Sequence, residues 1–504
     1  MKYISTAILI AAFFLLRPYQ MQKLGLMYKG DDHSYFAHAT AIAYGQFPSY
    51  EKEYYLHGEG RPLHSIGSGI MAAPFVFVFS MIDRIEGSSI VEQRTADNIR
   101  HSWSLFGFVV ASCTYFWLGC WLLYLSGVRI FPARYVVAAV ILLVIVQGIP
   151  LYVFRRPVFA HIYEFFLQSA MVFLLYKPYE NRSPGLRYWA AVGFTLALMP
   201  LVRYNNAAAM LAWWIILLVR HRVLRNWRQN RAILTALGAF AVLVGIFFIV
   251  PVVMHVDSGY LTKFRYFLRP WWLPEYPQRV LNVLFGISWG LIWSAPFILA
   301  GTWAAFTVRS PQRKYLWAAM AAMLVNFHII VTYAAQGGYY GYRYFIFSMI
   351  PLLVVPLAGG LEALDQRFRW RFRAAVILTA LFPLFSMLCF EGNDTTLTQH
   401  IVKISRGYGY SNHTYQWEVW KLLFTQPVEW GIAVFKGGLL YWIYASAHQA
   451  GAERFLPAVV LQKYPDFRVD ILLKVLIIYT LPFLLLYISN KVTGKTDRRA
   501  GRAA

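Results

Sequence analysis

Along nearly the whole chain, apolar runs of about the length of a bilayer-crossing helix alternate with short polar stretches. A helix crossing a ~30 Å hydrocarbon core needs about 20 mostly apolar residues. On that basis the pattern predicts membrane-spanning helices at Ile4–Leu16 with its flanks, Leu105–Leu125, Tyr135–Tyr152, Val158–Tyr176, Tyr188–Val202 and Asn206–Val219. It predicts six more at Ala232–Met254, Val280–Phe306, Tyr315–Tyr333, Tyr344–Leu361, Ala374–Phe390 and Ile471–Ser489. Hydropathy alone does not decide Ile66–Ile82 and Gly431–Ala445, which are apolar but could lie along a surface.

Composition places the chain in the same class. Its 504 residues are 59% hydrophobic and 14% charged, against roughly 45–50% and about 25% for a soluble domain. This excludes an ordinary soluble enzyme, and so rich an aromatic and apolar content excludes disorder. Cys113, Cys120 and Cys389 lie in apolar runs and read as small buried hydrophobes, too few for a disulfide framework or a cysteine zinc cluster.

The net charge of +24 falls in clusters between apolar runs, so it reads as membrane topology rather than nucleic-acid binding. Arg220–Arg231, Arg309–Lys314, Arg367–Arg373 and Lys491–Arg502 belong on the inner side, and counting back adds Arg129–Arg134 and Lys177–Arg187. The alternation closes only if Ile66–Ile82 and Gly431–Ala445 do not cross, which leaves twelve spans with both termini inside. The first apolar run has no small-residue cleavage site and reads as a retained span rather than a signal peptide. No internal repeat or soluble-domain linker appears. The chain reads as one membrane domain with a C-terminal portion from about residue 391.

Several polar groups then fall on the outer side. Asp31 and Asp32 follow the first span and precede a helix expected over His33–Tyr44. Adjacent carboxylates can take a proton from a nucleophile or hold a divalent cation, and mutual repulsion would raise one pKa. They would equally serve to cap that helix. The same loop carries Tyr55, His57, Arg61 and His64, suited either to phosphate or oxyanion contact or to headgroup contact. His57 and His64 with the acidic pair match no standard metal-ligand spacing.

Arg155-Arg156-Pro157 leads to His161 and Glu164, three apart at the head of a helix, and Arg203 lies at the tip of a helical hairpin. Ionisable residues at such places are costly unless paired or wet; a structural His–Glu pair is the plain alternative. In Gln336–Tyr344, glycines allow close backbone approach, Tyr340 offers a stacking face and Arg343 a fixed positive fork. Carboxylates, arginines and aromatics on one membrane face suit a lipid-linked phosphate substrate.

At these residues the sequence resembles the GT-C superfamily of polyprenyl-phosphate-sugar glycosyltransferases, nearest the bacterial branch related to protein O-mannosyltransferases and lipid A aminoarabinose transferases. The resemblance rests on Gly30-Asp31-Asp32, His64–Phe75, Pro157–Glu164, Leu201–Arg203, Gly286–Pro296 and Gly341–Tyr344, over about residues 1–360. It implies an all-α polytopic membrane protein of GT-C fold, with about twelve transmembrane helices and juxtamembrane helices in the first periplasmic loop, 17–103. Residues 1–390 would be the catalytic domain, and 391–504 a periplasmic segment, an interfacial helix and the last span.

The resemblance also implies Asp31 as catalytic base with Asp32 orienting it or binding a metal, though the family more often has Asp-Glu. Arg343 would bind the donor phosphate with Arg61 or Arg203, and His57, His64, Tyr55, His161, Glu164 and Tyr340 would line the substrate site. No cofactor is implied beyond a divalent metal ion (Mg or Mn) at Asp31 and Asp32. The partners are a polyprenyl-phosphate-linked sugar donor, a glycan or glycolipid acceptor and the lipid bilayer, with no nucleic acid. The location the resemblance implies is a bacterial inner membrane, with the site facing the periplasm.

Two other readings compete. A polyprenyl-diphosphate-linked glycan ligase or polymerase would lean on Arg and His in a large outer loop. A non-enzymatic lipid-linked sugar transporter would place its charges near the midplane and often show repeated halves.

Overall fold

A computed structural model of the protein describes residues 31–48, 64–87, 99, 102–149, 152–153, 156–177, 184–222, 230–249, 276–285, 290–310, 312–332, 343–393 and 425. The described residues are mostly helical and contain no strand. In chain order they form α1 (Asp31–Ala43), α2 (Gly67–Ile85), α3 (Trp103–Gly127), α4 (Ala133–Val140), α5 (His161–Tyr176), α6 (Leu186–Val202) and α7 (Ala207–Arg220). Then follow α8 (Asn230–Val244), α9 (Tyr276–Phe285), α10 (Leu291–Ser294), α11 (Pro296–Thr307), α12 (Arg313–Thr332) and α13 (Arg343–Asn393). The expected spans Ile4–Leu16 and Ile471–Ser489, and the ambiguous Gly431–Ala445, lie outside the described residues.

Among the described residues, four helices are long and apolar enough to cross a membrane: Gly67–Ile85, Trp103–Gly127, Arg313–Thr332 and Phe345–Leu381. On α7, Leu211, Ile215 and Val219 form an exposed stripe at i, i+4 and i+8, a face matched to lipid rather than water.

Length and apolarity do not separate α2, expected to lie along the surface, from a span. The Tyr115 hydroxyl donates to the Met71 carbonyl at 3.2 Å, and Phe79 stacks on Trp103 at 6.4 Å. Thus α2 runs antiparallel to α3. α5 packs along α3 as well, from Tyr163 on Phe108 at 5.9 Å to Phe165, which meets Phe116 at 6.0 Å and would collide with a Cβ at Gly119.

The start of α3 is capped twice. Ser102 accepts from the Leu105 N–H at 3.1 Å, and the Asp83 carboxylate at the end of α2 accepts from the Trp103 and Ser104 N–H groups, each at 2.8 Å. These bonds satisfy N–H groups that a helix start leaves without partners. Close helix approach also depends on Gly193 of α6, where any side chain would run into the Ala236 backbone of α8.

Four expected spans differ in form. Val280–Phe306 is not one continuous helix: within it α10 and α11 are parted at Ala295. Pro296 supplies no N–H and stands at the start of α11, while Ala295 before it leaves helical geometry (φ −145°, ψ 52°). Tyr135–Tyr152 is also interrupted. After α4 the helix widens to a π-turn over Ile141–Ile145, and Gly148 turns left-handed at φ 81°. Tyr344–Leu361 and Ala374–Phe390 fall within α13, broken at Arg369 (φ 50°, ψ −121°).

A polar chain ties the interior together. The Asn205 amide donates to Asn326 Oδ1 at 2.8 Å, and the Asn326 amide donates to Ser348 Oγ at 3.0 Å, all buried. Trp213 Nε1 of α7 donates to Gln168 Oε1 of α5 at 2.9 Å. The Asn205–Asn326 and Trp213–Gln168 bonds join elements 121 and 45 residues apart, and the Asn326–Ser348 bond joins the successive helices α12 and α13.

Candidate functional site

The helix expected over His33–Tyr44 is present as α1, and it begins on the acidic pair itself. Both acids lie in its first turn. They do not act as a pair, because the helix turns them toward different surroundings. Asp32 is fully buried and meets Arg156 Nη2 at 2.9 Å, with Arg156 itself 2% exposed. The Arg156 guanidinium also lies 4.0 Å from the centre of the Phe159 ring. Asp31 is 43% exposed, with His64 Nε2 at 3.6 Å from its Oδ1.

His64 is placed by its backbone. Its N–H donates to Ser34 Oγ at 3.0 Å, and its carbonyl accepts from His38 Nε2 at 2.8 Å. Both partners belong to α1, so the segment before α2 is strapped to the helix that carries Asp31. Gly67 continues the close fit, since a side chain there would strike the backbone of Leu201 and Val202 at the end of α6.

A second charged cluster forms where α6 ends. Pro200 lies in the last turn of α6, and Arg203 then adopts an extended backbone. Its guanidinium donates to the His161 ring and, at 3.3 Å, to Glu164 Oε2. His161 Nδ1 is 3.6 Å from the same carboxylate oxygen. All three residues are buried. The expected His–Glu pair is therefore part of a triad with Arg203, whose charge already faces a carboxylate.

Aromatic rings connect the two charged groups. His64 lies 5.2 Å from Tyr35 between ring centres, Tyr35 lies 6.4 Å from Phe159, and Phe159 lies 5.8 Å from His161. His161 in turn meets Phe347 at 5.2 Å, one helical turn after Arg343 begins α13. Asp31, His64, the Asp32–Arg156 pair, the Arg203 triad and the head of α13 thus belong to one region, from five separate parts of the chain. Nothing is described of the Arg343 side chain, and Tyr55, His57, Arg61 and Tyr340 lie outside the described residues.

The acidic pair does not present two carboxylates to a divalent ion, because Asp32 is engaged with Arg156. Among the described residues no three His, Cys, Asp or Glu side chains gather as ligands.

Arg156 is the residue to which sequence reasoning gave no role. The signal was present: an Arg-Arg-Pro step inside apolar sequence, where a charge has to find a partner. Its partner lies 124 positions away. Neither a family model, a curated protein nor a solved structure matches the chain.

Proposed function

We propose that the protein is a membrane glycosyltransferase that moves a sugar from a polyprenyl-phosphate carrier to an envelope glycan or glycolipid acceptor. The observation that carries this reading is the half-exposed Asp31–His64 pair, joined through Tyr35 and Phe159 to the buried arginine clusters. A carboxylate open to solvent and steadied by an imidazole is a base within reach of an arriving hydroxyl.

In this reading Asp31 takes the proton of the acceptor hydroxyl. The acceptor oxygen forms the new bond to the anomeric carbon, the bond from that carbon to the carrier phosphate breaks, and its electron pair leaves with the phosphate. Arg343, at the head of α13, binds the departing phosphate. Asp32 is reassigned from catalysis to positioning: its pair with Arg156 holds the first turn of α1. Arg203 sets the other wall through His161 and Glu164. The basic loops support a bacterial inner membrane with the site facing the periplasm.

The test is mass spectrometry of envelope glycolipids and polysaccharides in a deletion strain complemented with wild type or variants. Wild type restores a sugar-sized mass increment. Asp31→Asn inserts and folds but lowers transfer by about 10²–10⁴-fold, the usual contribution of a positioned base. An unchanged glycan profile on deletion, or full rescue by Asp31→Asn, overturns the proposal.

A further inference from the structure

Away from Asp31, several helix ends meet. Arg220 Nη1 donates to the Leu174 carbonyl at 2.9 Å, Tyr176 Oη lies 3.2 Å from Ser310 Oγ, and Gly359 packs against both Val308 and Phe131. This gathers the ends of α3, α5, α7 and α11 around the middle of α13. The carboxylates described on α13 there are Glu362 and Asp365.

Asp365 is already bound. It accepts from Arg373 Nε at 2.6 Å and from the Tyr135 hydroxyl at 2.8 Å, and that hydroxyl accepts from Arg134 at 2.8 Å. This chain fixes the break in α13 to the start of α4. It leaves Arg367, Arg369 and Arg371 exposed, alternating with Phe368 and Trp370, which are 45% and 71% exposed. Arg367 lies over the Phe368 ring at 5.0 Å and Arg371 near the Trp370 ring at 5.8 Å. Among the described residues, no carboxylate pairs with these three arginines.

Backbone geometry adds a second observation. Arg369 has φ 50° and ψ −121°, close to the first central position of a type II′ turn, which glycine dominates. A side chain there strains the backbone, where glycine would not. The other non-glycine residue at positive φ among those described is also an exposed arginine, Arg222, just past α7.

We propose that the anchored turn Gln366–Arg371 is a docking surface for anionic phospholipid headgroups: Arg367, Arg369 and Arg371 take the phosphates, while Phe368 and Trp370 lie at the interface. Charge complementarity sets the occupant. Arginines beside a span attract anionic lipid, and aromatic rings prefer headgroup depth. The inference is independent of the glycosyltransferase reading.

The test uses the full-length protein in neutral detergent, with phosphatidylglycerol or phosphatidylcholine added as mixed micelles at low salt. Phosphatidylglycerol is expected to raise the unfolding midpoint by about 3 °C or more over phosphatidylcholine. Native mass spectrometry should count more retained phosphatidylglycerol than phosphatidylcholine. Arg367→Gln/Arg369→Gln/Arg371→Gln should keep the phosphatidylcholine midpoint and lose at least half of the anionic gain. Arg369→Gly guards against a folding artefact: it should match or exceed wild type in phosphatidylcholine yet gain less from phosphatidylglycerol. Equal midpoints in the two lipids, a full anionic gain in both variants, or the same gain from inorganic phosphate alone would each overturn the proposal.

Discussion

Arginine has two opposite environments in this protein. Around Asp31, Arg156 and Arg203 are 2% and 5% exposed, each facing a carboxylate across buried space. Elsewhere, Arg367, Arg369 and Arg371 are exposed and face no described carboxylate. A buried guanidinium must be met by a fixed negative group, because the interior cannot solvate it. An exposed one keeps its water and remains available to an anion arriving from outside. The first kind holds geometry; the second offers charge.

The sharpest way to break this contrast is to remove one member of a buried pair. Arg156→Leu should destabilise the protein by about 3–5 kcal/mol by stranding the Asp32 charge, whereas Arg371→Leu should fall within about 0.5 kcal/mol. Chemical unfolding of both variants in one detergent measures the difference, and equal effects would dissolve the distinction. Glu164→Gln is milder, since the amide still accepts a hydrogen bond from Arg203. It should cost about 1.5–3 kcal/mol, read from the same curves.

Smaller again is Asp365→Asn. Its partner Arg373 is 64% exposed, so losing that pair should cost about 0–1 kcal/mol and fade in high salt. A large, salt-independent loss would mean the turn anchor behaves like the buried pairs.

The smallest effect concerns His221, just past α7. Tyr188 and Trp189 pack against its ring at 5.3 and 5.7 Å. Burial, reinforced by Arg220, lowers its pKa from the usual 6.5 to about 4. The folded state therefore resists a proton that the unfolded chain accepts. His221's contribution is complete above pH 6.5 and is lost as the pH falls toward 4. The unfolding midpoint of wild type minus that of His221→Gln, followed from pH 7 to 5, should shrink on acidification; a flat difference refutes the assignment.

Much of the helical layout was legible because hydrophobic period and length carry it. Leu105–Leu125 emerged as Trp103–Gly127, Tyr315–Tyr333 as Arg313–Thr332, and the hairpin tip at Arg203–Asn206 as an extended residue and a short 3₁₀ turn. The breaks were less legible. Pro296 and Gly148 stand in sequence as punctuation, but apolar neighbours on both sides hid them within long runs. At the site, Asp31 and His64 lie 3.6 Å apart, although the sequence offered no spacing that pairs them. The division between Asp31 and Asp32 could not be read from adjacent carboxylates. It depends on which one the first turn of α1 aims at Arg156, a residue 124 positions away.

The Asn205–Asn326–Ser348 chain has a consequence for the order in which the protein is made. Its members emerge from the ribosome in that sequence, 121 residues and then 22 residues apart. Asn205 enters its helical hairpin long before Asn326 exists, and Asn326 enters with α12 before Ser348 follows on α13. Until then each amide lacks a partner that the finished fold supplies. Assembly of these helices is thus completed late, when α13 arrives, and a chain ended after α12 would leave Asn326 without its acceptor.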